Sequence, residues 1–304
     1  MGVNSSYKVY NLKTVLDIAR KYKFAVGAFS PRSTAMILPI LRAAEKNNSL
    51  AIVQISQKEL LKYEITPKQF AEEFFECLDR YNLNVHVVLH LDHTKDIKII
   101  HDAIDARFTS VMIDASDKPL EENIKITKEV VEYAHSKGVS VEAELGMIGT
   151  TDFVETDKDE ELYTNPEEAK YFVEKTNVDA LAVSVGTAHG VYSSIRQPKI
   201  DYNRLIEIGE LTDVHLVLHG GSGIPAQMIV KAIKLEKGSI SKVNIATDLE
   251  LELLRAINKT NSLKNSELNA LEKGLLEKGR NAVEDLVIAK MDDFLLSKDS
   301  AKFI

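Results

Sequence analysis

Eight short runs, each nearly all apolar and rich in β-branched residues, constrain this chain more than any other feature. They are "FAVGAFS" (Phe24–Ser30), "LAIVQIS" (Leu50–Ser56), "HVVLHLDH" (His86–His93), "SVMIDAS" (Ser110–Ser116), "SVEAELG" (Ser140–Gly146), "ALAVSVG" (Ala180–Gly186), "LVLHGGS" (Leu216–Ser222) and "KVNIATD" (Lys242–Asp248). A strand that is apolar at consecutive positions has to be buried on both faces, as parallel strands are. Between the runs lie helix-like segments. "AMILPILRAAEKNN" and "PLEENIKITKEVVEYAHSKG" carry apolar residues at helical spacing, and "NPEEAKYFVEKTN" opens with an Asn cap and a first-turn Pro. Alternating β and α units imply parallel strands, and eight of them predict an α/β fold closed as a (β/α)8 TIM barrel. An open doubly wound sheet is the competing arrangement. It would usually carry a Gly-rich dinucleotide fingerprint after the first strand, and "GAFSPRS" is not one.

From Leu249 onward the chain reads as helices with a polar break at "NKTNSLKNS". The amphipathic "ALEKGLLEKGRNAVEDLVIAKMDDFL" is expected to pack outside the barrel or against a second subunit. Residues 1–304 are therefore expected to be one barrel domain with a C-terminal helical extension from about residue 250, since barrels of this length run as one domain. A net charge of -8 and the absence of any Lys/Arg block argue against nucleic acid as a partner. The longest apolar runs are strand-length, far short of a membrane span. "MGVNSSYKVYNLKTVLDIARKY" has no apolar signal core, and its loose match to a myristoylation pattern ending at Ser6 stands alone. One cysteine, Cys77, leaves no disulfide within the chain and no Cys zinc cluster, which fits a reducing cytoplasm.

In a parallel barrel the active site lies at the C-terminal ends of the strands. Those ends deliver Ser30 with Arg32, Gln54 with Ser56, Asp92 with His93, Asp114, Glu144, His189 with Gly190, His219 with Gly220 and Gly221, and Asn244 with Thr247 and Asp248. Three histidines from different strands, His93, His189 and His219, suit a catalytic zinc with one open position. Each taken singly reads more simply as a hydrogen-bonded histidine, but their convergence at one barrel end favours the metal. His86, His101, His135 and His215 fall at strand starts or on helices and read as structural, while His90 is placed to back a ligand from within the third strand. Asp92 either orients the metal-bound His or moves a proton. Asp114 and Glu144 either take a second cation or form hydrogen bonds. "LHGGSG" and "NIATD" follow the seventh and eighth strands, where barrels commonly bind phosphate, and Gly allows close approach of N–H groups to an anion. The long loop after the fifth strand, "MIGTTDFVETDKDEELYT", is suited to cover a site.

The motifs "HLDH", "SVMIDAS", "VEAELGMIG", "ALAVSVGTAHGVY", "LVLHGGSGIP" and "KVNIATDL" run in order over most of the chain. As a set they make it resemble the class II, zinc-dependent ketose-bisphosphate aldolases, nearest the shorter tagatose- and fructose-bisphosphate enzymes. The resemblance implies zinc on His93, His189 and His219, chelating dihydroxyacetone phosphate, with Asp92 exchanging a proton with the aldehyde oxygen. It also implies a phosphate held by Gly190, by Gly220, Gly221 and Ser222, and by Asn244, Ile245, Ala246 and Thr247. Asp114 and Glu144 match positions that can take an alternative metal, a monovalent cation is implied nearby, and a homodimer or homotetramer is expected. The departures gather where the aldehyde half should bind. Asp152 keeps a carboxylate in place of a usual Glu, "SPRS" replaces an Asn-rich stretch, Ser193 replaces a Lys, and "LEK" (Leu271–Lys273) stands where a "DPR"-like segment is usual. Arg32, Ser56 and Asp152 are accordingly candidate contacts for that half, with Arg32 expected to hold a distal anionic group. The activity expected is reversible cleavage of a ketose 1,6-bisphosphate. The competing readings are another ketose 1-phosphate as substrate, a Schiff-base aldolase, for which a Lys near the strand tops is wanting, and a silent phosphosugar-binding protein.

Overall fold

The computed structural model describes residues 7–150, 162–190, 192 and 197–304. Eight strands form where the apolar runs lie: β1 Val26–Phe29, β2 Ala51–Ser56, β3 His86–Thr94, β4 Ser110–Ile113, β5 Ser140–Leu145, β6 Ala180–Val183, β7 His215–Leu218 and β8 Ile240–Ile245. Each pairs in parallel with the next, and β8 returns to β1 from Lys242↔Val26 to Ile245↔Phe29. The ladder closes, none of the eight is an edge, and the fold is a (β/α)8 barrel with extra C-terminal helices. Lys8–Val9 adds to the start of β3. A second small sheet joins Gly149–Thr150 to Ala188–His189 above the barrel and ties the loop after β5 to the loop after β6.

Side chains alternate across each strand, so closure divides every strand between an outer and an inner face. Val87, Leu89 and Leu91 of β3, Val141, Ala143 and Leu145 of β5, and Val243 and Ile245 of β8 face outward into one core with the surrounding helices. The inner face is layered. Val26, Ala28, Ile52, Val88, Met112, Ala180, Ala182 and Val217 form an apolar lower plug. Above it lie His90, Glu142 and Lys242, all fully buried. The next inward positions up the strands carry Gln54, Asp92, Glu144 and Asn244.

The lower end is closed by helix Leu12–Tyr22, whose Leu12, Val15, Leu16 and Ala19 complete the plug. That helix starts where the Asn11 side chain accepts the Thr14 N–H, and it stops at Lys23 in a left-handed conformation. The C-terminal segment returns to the same end: Phe303 stacks on Tyr22 with centroids 3.8 Å apart, and Leu296 and Ile304 pack beside it. Of the two places expected for the amphipathic C-terminal segment, the structure has the first. Helix Lys273–Ala289 lies outside the barrel against helices Ile37–Lys46 and Thr247–Ala256. No described helix is long and apolar enough to cross a membrane.

Because the lower plug and the polar mouth are separate layers, damage to one should spare the other. Leu16→Ala should cost about 2–5 kcal/mol of stability. A lowered Tm with unchanged metal stoichiometry is the expected measurement.

Candidate active site

The mouth is shaped by an irregularity in β3. Leu91 pairs with Val111 and Thr94 with Ile113, so β3 uses one more residue than β4 over this stretch, and His93 takes a positive φ of 24°. In a regular strand, consecutive residues face opposite sides; an inserted residue breaks that alternation and re-aims a side chain. Asp92 and His93 can therefore both line the cavity at the top of the barrel. Such a φ is costly for a residue with a Cβ, and it occurs here at a candidate ligand.

His93, His189 and His219 each bring a ring nitrogen to a common point, all within 4.8 Å of one another. His189 is placed by the small sheet, where it pairs with Thr150. The other two rings are oriented from behind. His93 Nδ1 lies 3.0 Å from Asp114 Oδ2, and His219 Nε2 lies 2.8 Å from Glu142 Oε1. Each of these nitrogens faces its carboxylate, which turns His93 Nε2 and His219 Nδ1 toward each other at 2.6 Å. Two opposed lone pairs at that distance repel unless a cation or a proton lies between them. The donor set and its orientation thus fit a divalent metal. Burial works against a charged His93, but Asp92, Asp114 and Glu144 overcome it and push its pKa up to about 10. Burial and the His93 charge push His189 down to about 4 and His219 well below the usual value. One site thus divides into a ring that holds a proton when no metal is bound and two that stay neutral.

Asp114 and Glu144 form a second group with His93. The Ser116 hydroxyl lies 2.8 Å from Asp114 Oδ1 and 3.1 Å from Glu144 Oε1, and bridges the two carboxyl groups. Burial, and then the neighbouring Asp114, push Glu144 up to about 8 despite the opposing pull of His93. Against its own burial, Asp114 is held well below the usual carboxylate range by its bond to His93. Asp92 is held on both oxygens: Gln54 donates its amide to Oδ2 at 3.2 Å and Asn244 to Oδ1 at 3.1 Å. These two donors come from β2 and β8, so the carboxylate is fixed between strands on either side of β1.

Gly190, Gly220, Ser222, Asn244, Ala246 and Thr247 line the same cavity as His93 and His189. Gly220 has φ 68°, and a Cβ there would meet Ala188 O at 2.3 Å, so no side chain fits. The Ser222 hydroxyl accepts the N–H groups of Ala246 and Asp248 at 3.3 and 3.2 Å, bridging the two loops at the start of helix Thr247–Ala256. Gly221 and Ile245 lie behind this lining. Gly221 donates its N–H to Asn244 O at 3.0 Å, and the Ile245 side chain is in the outer core.

Arg32 also borders the cavity, but its guanidinium is engaged by Glu59 Oε1 at 3.1 Å and by Glu250. Ser56 caps helix Gln57–Tyr63 in a capping box with Glu59, so its hydroxyl is occupied as well. Asp152, Ser193 and Ser6 lie outside the described residues. The structural histidines behave as expected. His86 meets Tyr10, His135 meets Asp179, His215 meets Asp17, and His101 packs on Tyr133.

The sequence model of the class-II fructose-bisphosphate aldolases matches residues 10–299. The chain belongs to this family. A fructose-bisphosphate aldolase of Geobacillus stearothermophilus is 37% identical over 96% of this chain and 99% of its own. One of Staphylococcus aureus is 36% identical over 93% and 96%. The crystal structure of the YdjI aldolase of Escherichia coli K12 superposes with a TM-score of 0.81 at 30% identity, covering 97% of this chain and all of that one.

Sequence reasoning missed two residues of this aldolase. Lys242 does not merely open a strand; it is the third residue of β8 and lies fully buried inside the barrel. Its ammonium reaches Glu142 Oε2 at 2.9 Å and donates to Asn244 Oδ1 at 2.7 Å. Glu142 in turn holds His219, and Asn244 holds Asp92, so one buried ion pair orients both a candidate metal ligand and the carboxylate beside it. His90 stands next to it, bonded to Ser110 at 2.8 Å and 3.6 Å from Glu142, with burial pushing its pKa down to about 3. A signal was available: Glu142 and Lys242 precede Glu144 and Asn244 by two residues, and a two-residue step keeps a strand side chain on the same face. Glu142→Gln should lower divalent-metal affinity by about 10–100-fold. It should also cost roughly 3–5 kcal/mol of stability, because the Lys242 ammonium would be buried without its counter-charge. Metal titration and chemical denaturation check the two separately.

Proposed function

We propose that this aldolase is zinc-dependent and cleaves a ketose 1,6-bisphosphate of the fructose or tagatose type to dihydroxyacetone phosphate and an aldehyde such as glyceraldehyde 3-phosphate. The observation that carries this reading is that His93, His189, Asp92 and the Gly220–Thr247 cradle line one cavity, with a ring nitrogen of the buried His219 within 4.8 Å of those of the other two histidines. The names of the relatives from Geobacillus stearothermophilus and Staphylococcus aureus agree with it. When bound at the three histidines, zinc supplies Lewis-acid polarisation of the ketose carbonyl.

The chain's own residues do the rest. N–H groups of Gly220, Ser222 and Thr247 hold the phosphate of the dihydroxyacetone half, helped by the positive end of helix Thr247–Ala256, while Gly221 and Ala246 tie the two loops together through their bonds to Asn244 and Ser222. Gly190 completes the cradle by leaving room for it. In cleavage, Asp92 takes the proton of the hydroxyl next to the breaking carbon–carbon bond. The oxygen's electrons form the aldehyde carbonyl, and the bond pair passes to the carbon beside the ketone, which then takes a proton from water to give dihydroxyacetone phosphate. In condensation Asp92 returns that proton to the aldehyde oxygen. Gln54 and Asn244 keep the carboxylate aimed in both directions. Asp114 and Glu144 orient His93 and offer an alternative position for a cation. A Schiff-base mechanism is disfavoured by Lys242, whose ammonium is fully buried and paired with Glu142.

A cleavage screen over ketose phosphates, read by release of dihydroxyacetone phosphate, tests the reaction. Chelation should abolish that release and added zinc restore it, whereas full activity in metal-free protein would refute the metal assignment. Asp92→Asn should retain metal and fold while turnover falls about 10²–10⁴-fold. Exchange of the dihydroxyacetone phosphate proton should survive better than cleavage, since it requires no proton on the aldehyde oxygen. Equal loss of both would make Asp92 an orienting residue only.

A further inference from the structure

The cavity is strongly acidic around the histidines, with Asp92, Asp114 and Glu144 on its wall. A second anionic group on the substrate would be repelled there unless a cation met it. Among the described residues, four cationic side chains border the cavity: Arg32, Lys58, Lys62 and Lys95. Two are held by carboxylates. Arg32 is held between Glu59 and Glu250, and Lys95 bonds Asp117 at 2.8 Å. Lys62 lies over the Tyr63 ring at 5.0 Å, and its charge acts on Glu250. Lys58 is exposed and has no carboxylate partner among the described residues, and its charge is felt at the His189 ring.

Position around the barrel gives Lys58 a meaning. The phosphate cradle follows β7 and β8, whereas Lys58 follows β2, on the far side of β1. An extended acyclic sugar anchored by one phosphate at Gly220 and Thr247 would cross Asp92, itself gripped from β8 and β2, and reach the β2 side with its other end. Resting on the ketose-phosphate reading above, we propose that Lys58 is the specificity-determining cation for the distal anionic group of the substrate. It selects sugars phosphorylated at both ends over those phosphorylated only at the ketose end. Its ammonium on a flexible stem suits a terminal phosphate as a point charge.

The test compares the purified metal-loaded enzyme with Lys58→Gln and Lys58→Arg on a ketose 1,6-bisphosphate and on the matching ketose 1-phosphate. Lys58→Gln should lower the ratio of the two kcat/KM values by roughly tenfold, mainly through KM for the bisphosphate, as expected for losing one charged hydrogen-bond partner. Lys58→Arg should retain most of the ratio, and added salt should erode it in the wild type more than in Lys58→Gln. An unchanged ratio in Lys58→Gln, or a wild-type enzyme that does not distinguish the two sugars, would overturn the proposal while leaving the aldolase reading intact. No release of dihydroxyacetone phosphate from any ketose phosphate by the wild type would instead overturn the reading beneath it.

Discussion

Closing eight parallel strands on themselves gives every inward-pointing residue a fixed height and a fixed set of neighbours, and the site depends on that constraint. Alternation places Glu142 and Glu144 on one inner column, Lys242 and Asn244 on another, and His90 and Asp92 on a third. At the middle height the Lys242 ammonium meets the Glu142 carboxylate with both side chains fully buried. An ion pair so placed is weak evidence for stability, because desolvation offsets much of the attraction. Its value here is geometric. One partner orients His219, and the other orients Asn244, which holds Asp92.

The bulge in β3 solves a different problem. Aldol chemistry of the kind proposed needs a metal ligand and a proton carrier within a few ångströms of one another, and adjacent residues on a regular strand face opposite ways. The extra residue between the Leu91 and Thr94 pairings breaks that rule at His93 alone. The strain is local, and Asp114 fixes the ring once it has turned inward. The same site keeps like charges apart by giving them different partners. Asp114 stays ionised against His93, whereas burial and its acidic neighbour favour a proton on Glu144.

Charge also separates the two ends of the cavity. The lining after β7 and β8 consists of backbone and hydroxyl groups without a formal charge, which suits it to the phosphate proposed for it. The opposite rim carries side-chain cations, of which Arg32 and Lys95 are already paired with carboxylates. Arg32 is the instructive case: its place just beyond β1 was legible, but Glu59 and Glu250 come from other segments, the latter 218 residues away along the chain.

Much of the fold was legible in the sequence alone, because burial on both faces imposes a composition. The eight runs became the eight strands, and the residues at their upper ends, from Asp92 and His93 to Asn244 and Thr247, came together as their positions implied. Composition and local spacing suffice for that, since strand alternation and strand direction are local properties. Pairings between distant segments are not local, and only the tertiary structure decided them: Glu142 behind His219, Lys242 between Glu142 and Asn244, the bulge that turns His93, and the carboxylates that occupy Arg32. Each depends on which side chain stands opposite at the same height of a closed barrel. That is set by the register between strands, which hydrogen bonding across the sheet fixes and no single run of residues encodes.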